Sequence, residues 1–194
     1  MIIWKRVAMV LNWLSRKPAK SSKTYWARQD SYPVSWGDRA QLAAKFVASN
    51  SSVLDIGCGR MQLKSLLPEN CTYTPADQVK WTDEVVKIDL DQQEFPPGHF
   101  DCVVILGVLE YLQAPAFPIT RAAESSAKLI TTYCHPLPDT DIARRRQNGW
   151  VNDLSEAELT ALFIAAGWTL SHSEDIQVST KFRQSLYVCI PKTA

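Results

Sequence analysis

The chain has 194 residues, 46% of them apolar and 21% charged, with a formal net charge of +1. This is enough chain for one globular domain with a sizeable core, and the near-neutral balance without aromatic–basic interleaving argues against nucleic acid as a partner. The odd cysteine count without a CxxC pair, and the three scattered histidines, exclude a disulfide framework and a metal centre as readings of the composition.

Charge is concentrated at the start. Residues 1–28 hold seven basic side chains and no acid, which leaves fourteen basic residues against all twenty acids in residues 29–194, a net of −6. Ile3, Val7, Val10, Leu11 and Leu14 form one helical stripe with Trp4 beside it, and Lys5, Asn12 and Arg16 lie opposite. The stripe is too short to span a bilayer and lacks a small-residue cleavage site after it. Two readings stand: packing on the domain or on a second subunit, or peripheral contact of residues 1–17 with an anionic membrane surface. The expected location is cytoplasmic, with the inner face of a membrane as the second possibility. From Tyr25 to Trp36 four aromatics occur without helix or strand period, so residues 1–36 are set apart from a folded domain at 37–194.

Asp38 to Ser49 is predicted helical, with Leu42, Ala43, Phe46 and Val47 on one face. Next, Val53-Leu54-Asp55-Ile56-Gly57-Cys58-Gly59-Arg60 is an apolar strand breaking into two glycines, a turn that opens backbone N–H groups to a ligand at a strand's carboxyl end. A dinucleotide turn needs a third glycine where Gln62 stands. The acid two residues before Gly57 suits an ammonium or sulfonium ligand better than a diphosphate.

A second apolar strand, Cys71–Ala76, closes on Asp77; a third, Val85–Leu90, contains Asp89; and Phe100-Asp101 leads into Cys102–Leu106 and Val108-Leu109-Glu110-Tyr111-Leu112. On these residues the chain resembles the class I S-adenosylmethionine-dependent methyltransferases. The resemblance implies an α/β, Rossmann-like fold: a seven-stranded, mostly parallel sheet with one antiparallel strand and helices on both faces. It implies that Asp55, Gly57, Cys58 and Gly59 line the methionine half of the cofactor, that Asp77 and Gln78 meet the ribose, and that Asp89, Leu90 and Leu106 border the rest. Two positions depart from the family: Met61 stands where many members have a further glycine, and Tyr111 where histidine is common.

The second half continues as alternating strands and helices: a helix at Thr120–Lys128, a strand at Leu129–Cys134, a helix opened by the capping box Ser155–Glu158, and strands near Trp168–Ser171 and Ser185–Ile190. The chemistry implied is in-line displacement by an O, N, S or C nucleophile, which requires alignment and exclusion of water, and a base only for a nucleophile that holds its proton. Candidates follow strands four and five: His135 first, then Tyr111 and Glu110. A plain loop residue competes with the catalytic reading at His135, and an exposed helix acid at Glu110. Trp26 and Arg28 are candidates on a lid over cofactor and substrate, with Arg28 on the cofactor carboxylate. Arg145 and Trp150 belong to a long connection, 135–153, suited to acceptor recognition. The expected acceptor is a small or lipid-linked molecule; the alternative is a scaffold that keeps the fold without catalysis. Oligomeric state is not legible.

Overall fold

In the computed structural model the described residues are 37–178 and 183–192. The amphipathic segment 1–17, Trp26, Arg28 and the rest of the proposed lid lie outside them.

Among the described residues seven strands form a single sheet: β1 Ser52–Ile56, β2 Thr72–Asp77, β3 Val86–Lys87, β4 Cys102–Leu106, β5 Leu129–His135, β6 Trp168–Val178 and β7 Arg183–Pro191, in the order β3-β2-β1-β4-β5-β7-β6. The β1–β2, β1–β4, β2–β3 and β4–β5 pairs are parallel, whereas β7 runs antiparallel to both β5 and β6. The chain order reverses at β1, which has β2 on one side and β4 on the other. In such sheets the crevice outside the carboxyl ends of the two central strands is the ligand site.

Alternate residues of the central strands feed two cores, as the two-residue strand period requires. Leu54, Ile56, Val103, Ile105, Leu129 and Tyr187 face one side, where α2 (Ala116–Ser125) and α4 (Glu156–Ala165) bring Ile119, Ala122, Leu159 and Phe163. Val53, Val104, Leu106, Ile130 and Val188 face the other, where α1 (Gly37–Ala44) brings Ala40, Ala43 and Ala44. Helices thus cover both faces. A fourth helix, α3 (Ile142–Gln147), lies in the β5–α4 connection.

Local chemistry sets the boundaries. The capping box forms: Ser155 Oγ accepts from Glu158 N–H at 3.3 Å while the Glu158 carboxylate accepts from Ser155 N–H at 2.8 Å. Helix α1 stops five residues before the predicted Ser49 because Lys45, Phe46 and Val47 donate to carbonyls three residues back, tightening the last turn. Helix α2 starts at Ala116 rather than Thr120, since Pro118 lies in its first turn, where a missing N–H costs nothing. The third strand is two residues long, not six, because Asp89 caps a 3₁₀ turn (Leu90–Gln92) by accepting from Asp91 N–H. The sixth runs on to Val178, paired throughout with β7 across two register shifts.

Candidate functional site

The glycine turn after β1 is fastened to the end of β2. Gly57 and Cys58 N–H donate to the Ala76 carbonyl at 2.7 and 3.2 Å, and Gly59 N–H donates to the Asp77 carboxylate at 2.9 Å. Asp77 also accepts from Val79 N–H at 3.0 Å. Each of its oxygens keeps a lone pair for a ligand hydroxyl. Burial raises its pKa above the usual carboxylate range against the pull of these N–H groups. At Met61 the backbone holds φ +55°, the left-handed conformation that a glycine there would adopt freely. The departure from the family changes the side chain and leaves the turn intact.

Along the carboxyl edge runs a cleft of about 680 Å³, part of it open to solvent. Gly57, Asp77, Gln78, Ile88, Asp89 and Leu90 line one half; Arg39, Leu106, Gly107, Val108, Tyr111 and Leu112 line the other. Six of the nine expected cofactor residues line this cleft: Gly57, Asp77, Gln78, Asp89, Leu90 and Leu106. Cys58 and Gly59 are buried within the turn, and Asp55 is buried beneath it, accepting from the Tyr73 hydroxyl at 2.6 Å. Desolvation pushes the Asp55 carboxyl up to about 7, with the Tyr73 hydrogen bond opposing and nearby Asp77 adding to the rise.

Arg39 was not expected at the site. It projects from the first turn of α1, its guanidinium so close that a Cβ on Gly107 would lie 2.3 Å from Nη1. Burial lowers its pKa, with Glu110 the strongest opposing charge. No local pattern in the sequence marks it, because its placement comes from α1 packing over β4 and β5.

The three catalytic candidates part company. Tyr111 lines the cleft; Trp150 hydrogen-bonds its phenol and meets its ring edge-on at 6.5 Å between centroids. Desolvation holds the phenol protonated, well above its ordinary range. Glu110 is 1% exposed, correcting the exposed-helix-acid alternative: the chain bends back in a 3₁₀ turn (Leu109–Tyr111), and the carboxylate accepts from Cys134 N–H at 2.8 Å. Its pKa is raised by burial. His135 is 2% exposed and both ring nitrogens are engaged, with Leu154 O at 3.0 Å and the Tyr187 hydroxyl at 2.5 Å. Burial lowers its pKa. It faces the core rather than the cleft.

The three adjacent arginines do not share one surface. Arg145 is 3% exposed; it pairs with Asp153 at 2.6 Å, donates to Cys134 O and Asn152 O, and lies 4.6 Å from the Trp150 ring centroid. Arg146 pairs with the same aspartate, while Arg144 is exposed. Arg145 is therefore committed to structure, not presented to an anionic acceptor. Among the described residues no helix is long and apolar enough to cross a membrane.

A Rossmann-like sheet with a glycine turn and strand-end acids around one cleft defines a nucleoside-binding α/β enzyme, and the comparisons with known proteins carry this to a family. The family model described as a methyltransferase domain matches residues 25–173, and the chain belongs to that family: it is a class I methyltransferase dependent on S-adenosylmethionine. No curated protein sequence matches. Among solved structures, the N-methyltransferase NodS from Bradyrhizobium japonicum, in complex with S-adenosylhomocysteine, is 17% identical with a TM-score of 0.65, covering 92% of this chain and 100% of that one. The 1,6-didemethyltoxoflavin-N1-methyltransferase of Burkholderia thailandensis is 16% identical with a TM-score of 0.63, covering 82% and 79%. The [4+2]-cyclase SpnF is 15% identical with a TM-score of 0.65, covering 81% of each chain. At these identities the likeness is one of fold, and a fold hosts more than one chemistry.

Proposed function

We propose that the cleft holds S-adenosylmethionine with the nucleoside toward β2 and β3, and that the chain methylates a nitrogen of a small-molecule acceptor. The observation that carries the reading is the division of the cleft. A buried acceptor-only carboxylate, Asp77, stands at the β2 end, where a vicinal diol donates two hydrogen bonds. Ile88 and Leu90 supply apolar cover for a purine, and Arg39 offers a cation for the cofactor's carboxylate at the opposite end. Arg39 joins Arg28, which lies outside the described residues, as a candidate for this role. These residues fit the cofactor's diol, base and charged tail.

The bound cofactor supplies a methyl group already activated on a sulfonium. What remains for the chain is to bind, align and exclude water. Leu106, Val108, Tyr111 and Leu112 form the wall that does this. Among the described residues lining the cleft, the ionisable side chains are Arg39, Asp77, Asp89, Asp91 and Tyr111. Asp77 and Asp89 belong to the nucleoside half, Asp91 accepts from Gln113 N–H at 3.1 Å, and Tyr111 holds its proton. An acceptor atom with a lone pair at neutral pH, an amine or ring nitrogen, suits this wall better than a hydroxyl. Two of the solved relatives are N-methyltransferases by name.

The test is transfer of labelled methyl from S-adenosylmethionine to matched amine, hydroxyl and thiol acceptors across pH. Transfer to amines, with a profile set by the amine's own pKa, is the expected result; preferential transfer to hydroxyls with a bell-shaped profile contradicts the nitrogen assignment. Calorimetric titration with the cofactor separates an enzyme from a scaffold that has lost its ligand. The seven basic residues of 1–28 keep a lipid-linked acceptor within the proposal. Salt-sensitive binding of the full chain to anionic, but not neutral, vesicles checks that part.

A further inference from the structure

The turn that presents Tyr111 and Leu112 to the cleft has two of its backbone carbonyls held by one side chain. Asn152, half-buried, donates both amide hydrogens to that turn: to Leu109 O at 2.7 Å and to Leu112 O at 2.9 Å. Its Oδ1 accepts from the Tyr133 hydroxyl, which in turn accepts from Leu154 N–H at 2.8 Å. The neighbouring Val151 N–H donates to a third carbonyl of the turn, Glu110 O, at 2.8 Å. Behind Asn152 the backbone is fixed by Arg145, which donates to Asn152 O at 3.2 Å while paired with Asp153.

We propose that Asn152 is a positioning residue for the ligand cleft. It holds the Leu109–Leu112 turn so that Tyr111 and Leu112 form a fixed wall, although Asn152 itself lies outside the cleft lining. The proposal rests on the reading of that cleft as the cofactor site. Only an amide fits the position. It offers two donors and an acceptor from one planar group, matching two carbonyls and one hydroxyl; a carboxylate would set acceptor against acceptor at both carbonyls. The connection from β5 to α4, which the sequence suggested for contact with the acceptor, acts in this account by bracing the wall from behind.

The experiment is calorimetric titration of the full chain with S-adenosylhomocysteine, comparing wild type with Asn152→Ala, Asn152→Asp, Tyr133→Phe and the exposed control Arg144→Ala, each shown to be folded by circular dichroism. Loss of two hydrogen bonds to the wall predicts about tenfold weaker binding for Asn152→Ala. Asn152→Asp is to be as weak or weaker, although it keeps the size and the acceptor for Tyr133. Tyr133→Phe loses roughly two- to threefold, and Arg144→Ala stays at wild type. A role confined to packing would leave Asn152→Asp near wild type. Folded Asn152 variants that bind within twofold of wild type overturn this proposal alone. A wild-type protein that does not bind overturns the cofactor site and the proposal with it.

Discussion

The two halves of the cleft are built by different means. On the nucleoside half, strand ends converge: backbone N–H groups of the glycine turn and short carboxylates in the last two residues of their strands or just beyond, with Asp55 and Asp77 buried and their pKa values raised. On the opposite half, the wall at Tyr111 is braced by side chains far apart in the chain, with Asn152, Tyr133, Arg145 and Asp153 joined in one hydrogen-bonded cluster. The first half keeps buried acids ready for a ligand at the expense of stability. The second, apart from the buried Glu110 carboxyl, whose pKa burial also raises, pairs its polar groups with one another. Removing the charge of Asp55 and that of Arg145 should therefore act in opposite directions.

Asp55→Asn gives the largest effect. A carboxyl that ionises near 7 in the folded protein and near 3.8 in the unfolded chain costs the ionised folded state on the order of 4 kcal/mol. The folded state binds more protons between these two values, so wild-type stability falls as pH rises from about 4 to 7, with the full cost above 7. The amide of this variant keeps an acceptor for Tyr73 without the charge, so denaturant titration at pH 8 should show the variant more stable and its pH dependence flatter. Equal stabilities at pH 8 would refute the account of a destabilising buried acid.

Arg145→Ala should do the reverse. It removes a buried cation from Asp153, two bonds to carbonyls and the contact with Trp150, costing about 3 kcal/mol of stability. A loss below about 0.5 kcal/mol, the range of surface substitutions, would return Arg145 to the role of a ligand-facing arginine. The smallest effect is at Met61, where φ is +55°. Met61→Gly should gain up to about 1 kcal/mol by relieving the left-handed conformation, partly offset by the entropy of glycine, with binding of S-adenosylhomocysteine unchanged. Destabilisation would mean that the Met61 side chain contributes more packing than its backbone costs.

The same contrast governs what the sequence discloses. Asp77, Gly57, Asp89 and Leu90 are legible because each lies at a strand end or in the short turn after it, which the local sequence marks. Arg39, Glu110 and His135 are not. Arg39 reaches the cleft only because α1 packs over β4 beside a glycine 68 positions away. Glu110 is buried by a 3₁₀ bend that reads locally as a helix start, and the His135 imidazole is claimed by Tyr187, 52 residues on. The alternation of strands and helices follows from their periods, whereas the seven-stranded sheet with helices on both faces is what the family resemblance implied and its strand order comes from the structure. The third strand fell short of its predicted length because Asp89 turns the chain with its own side chain.

The most direct test of the central claim is calorimetric titration of S-adenosylhomocysteine into wild type and Asp77→Ala. Asp77 would give up two charge-assisted hydrogen bonds to the ribose diol, of about 1.5 kcal/mol or more each, so wild-type binding in the micromolar range should weaken roughly 100-fold in the variant. Equal affinities in two folded proteins would contradict the placement of the nucleoside at the β2 end.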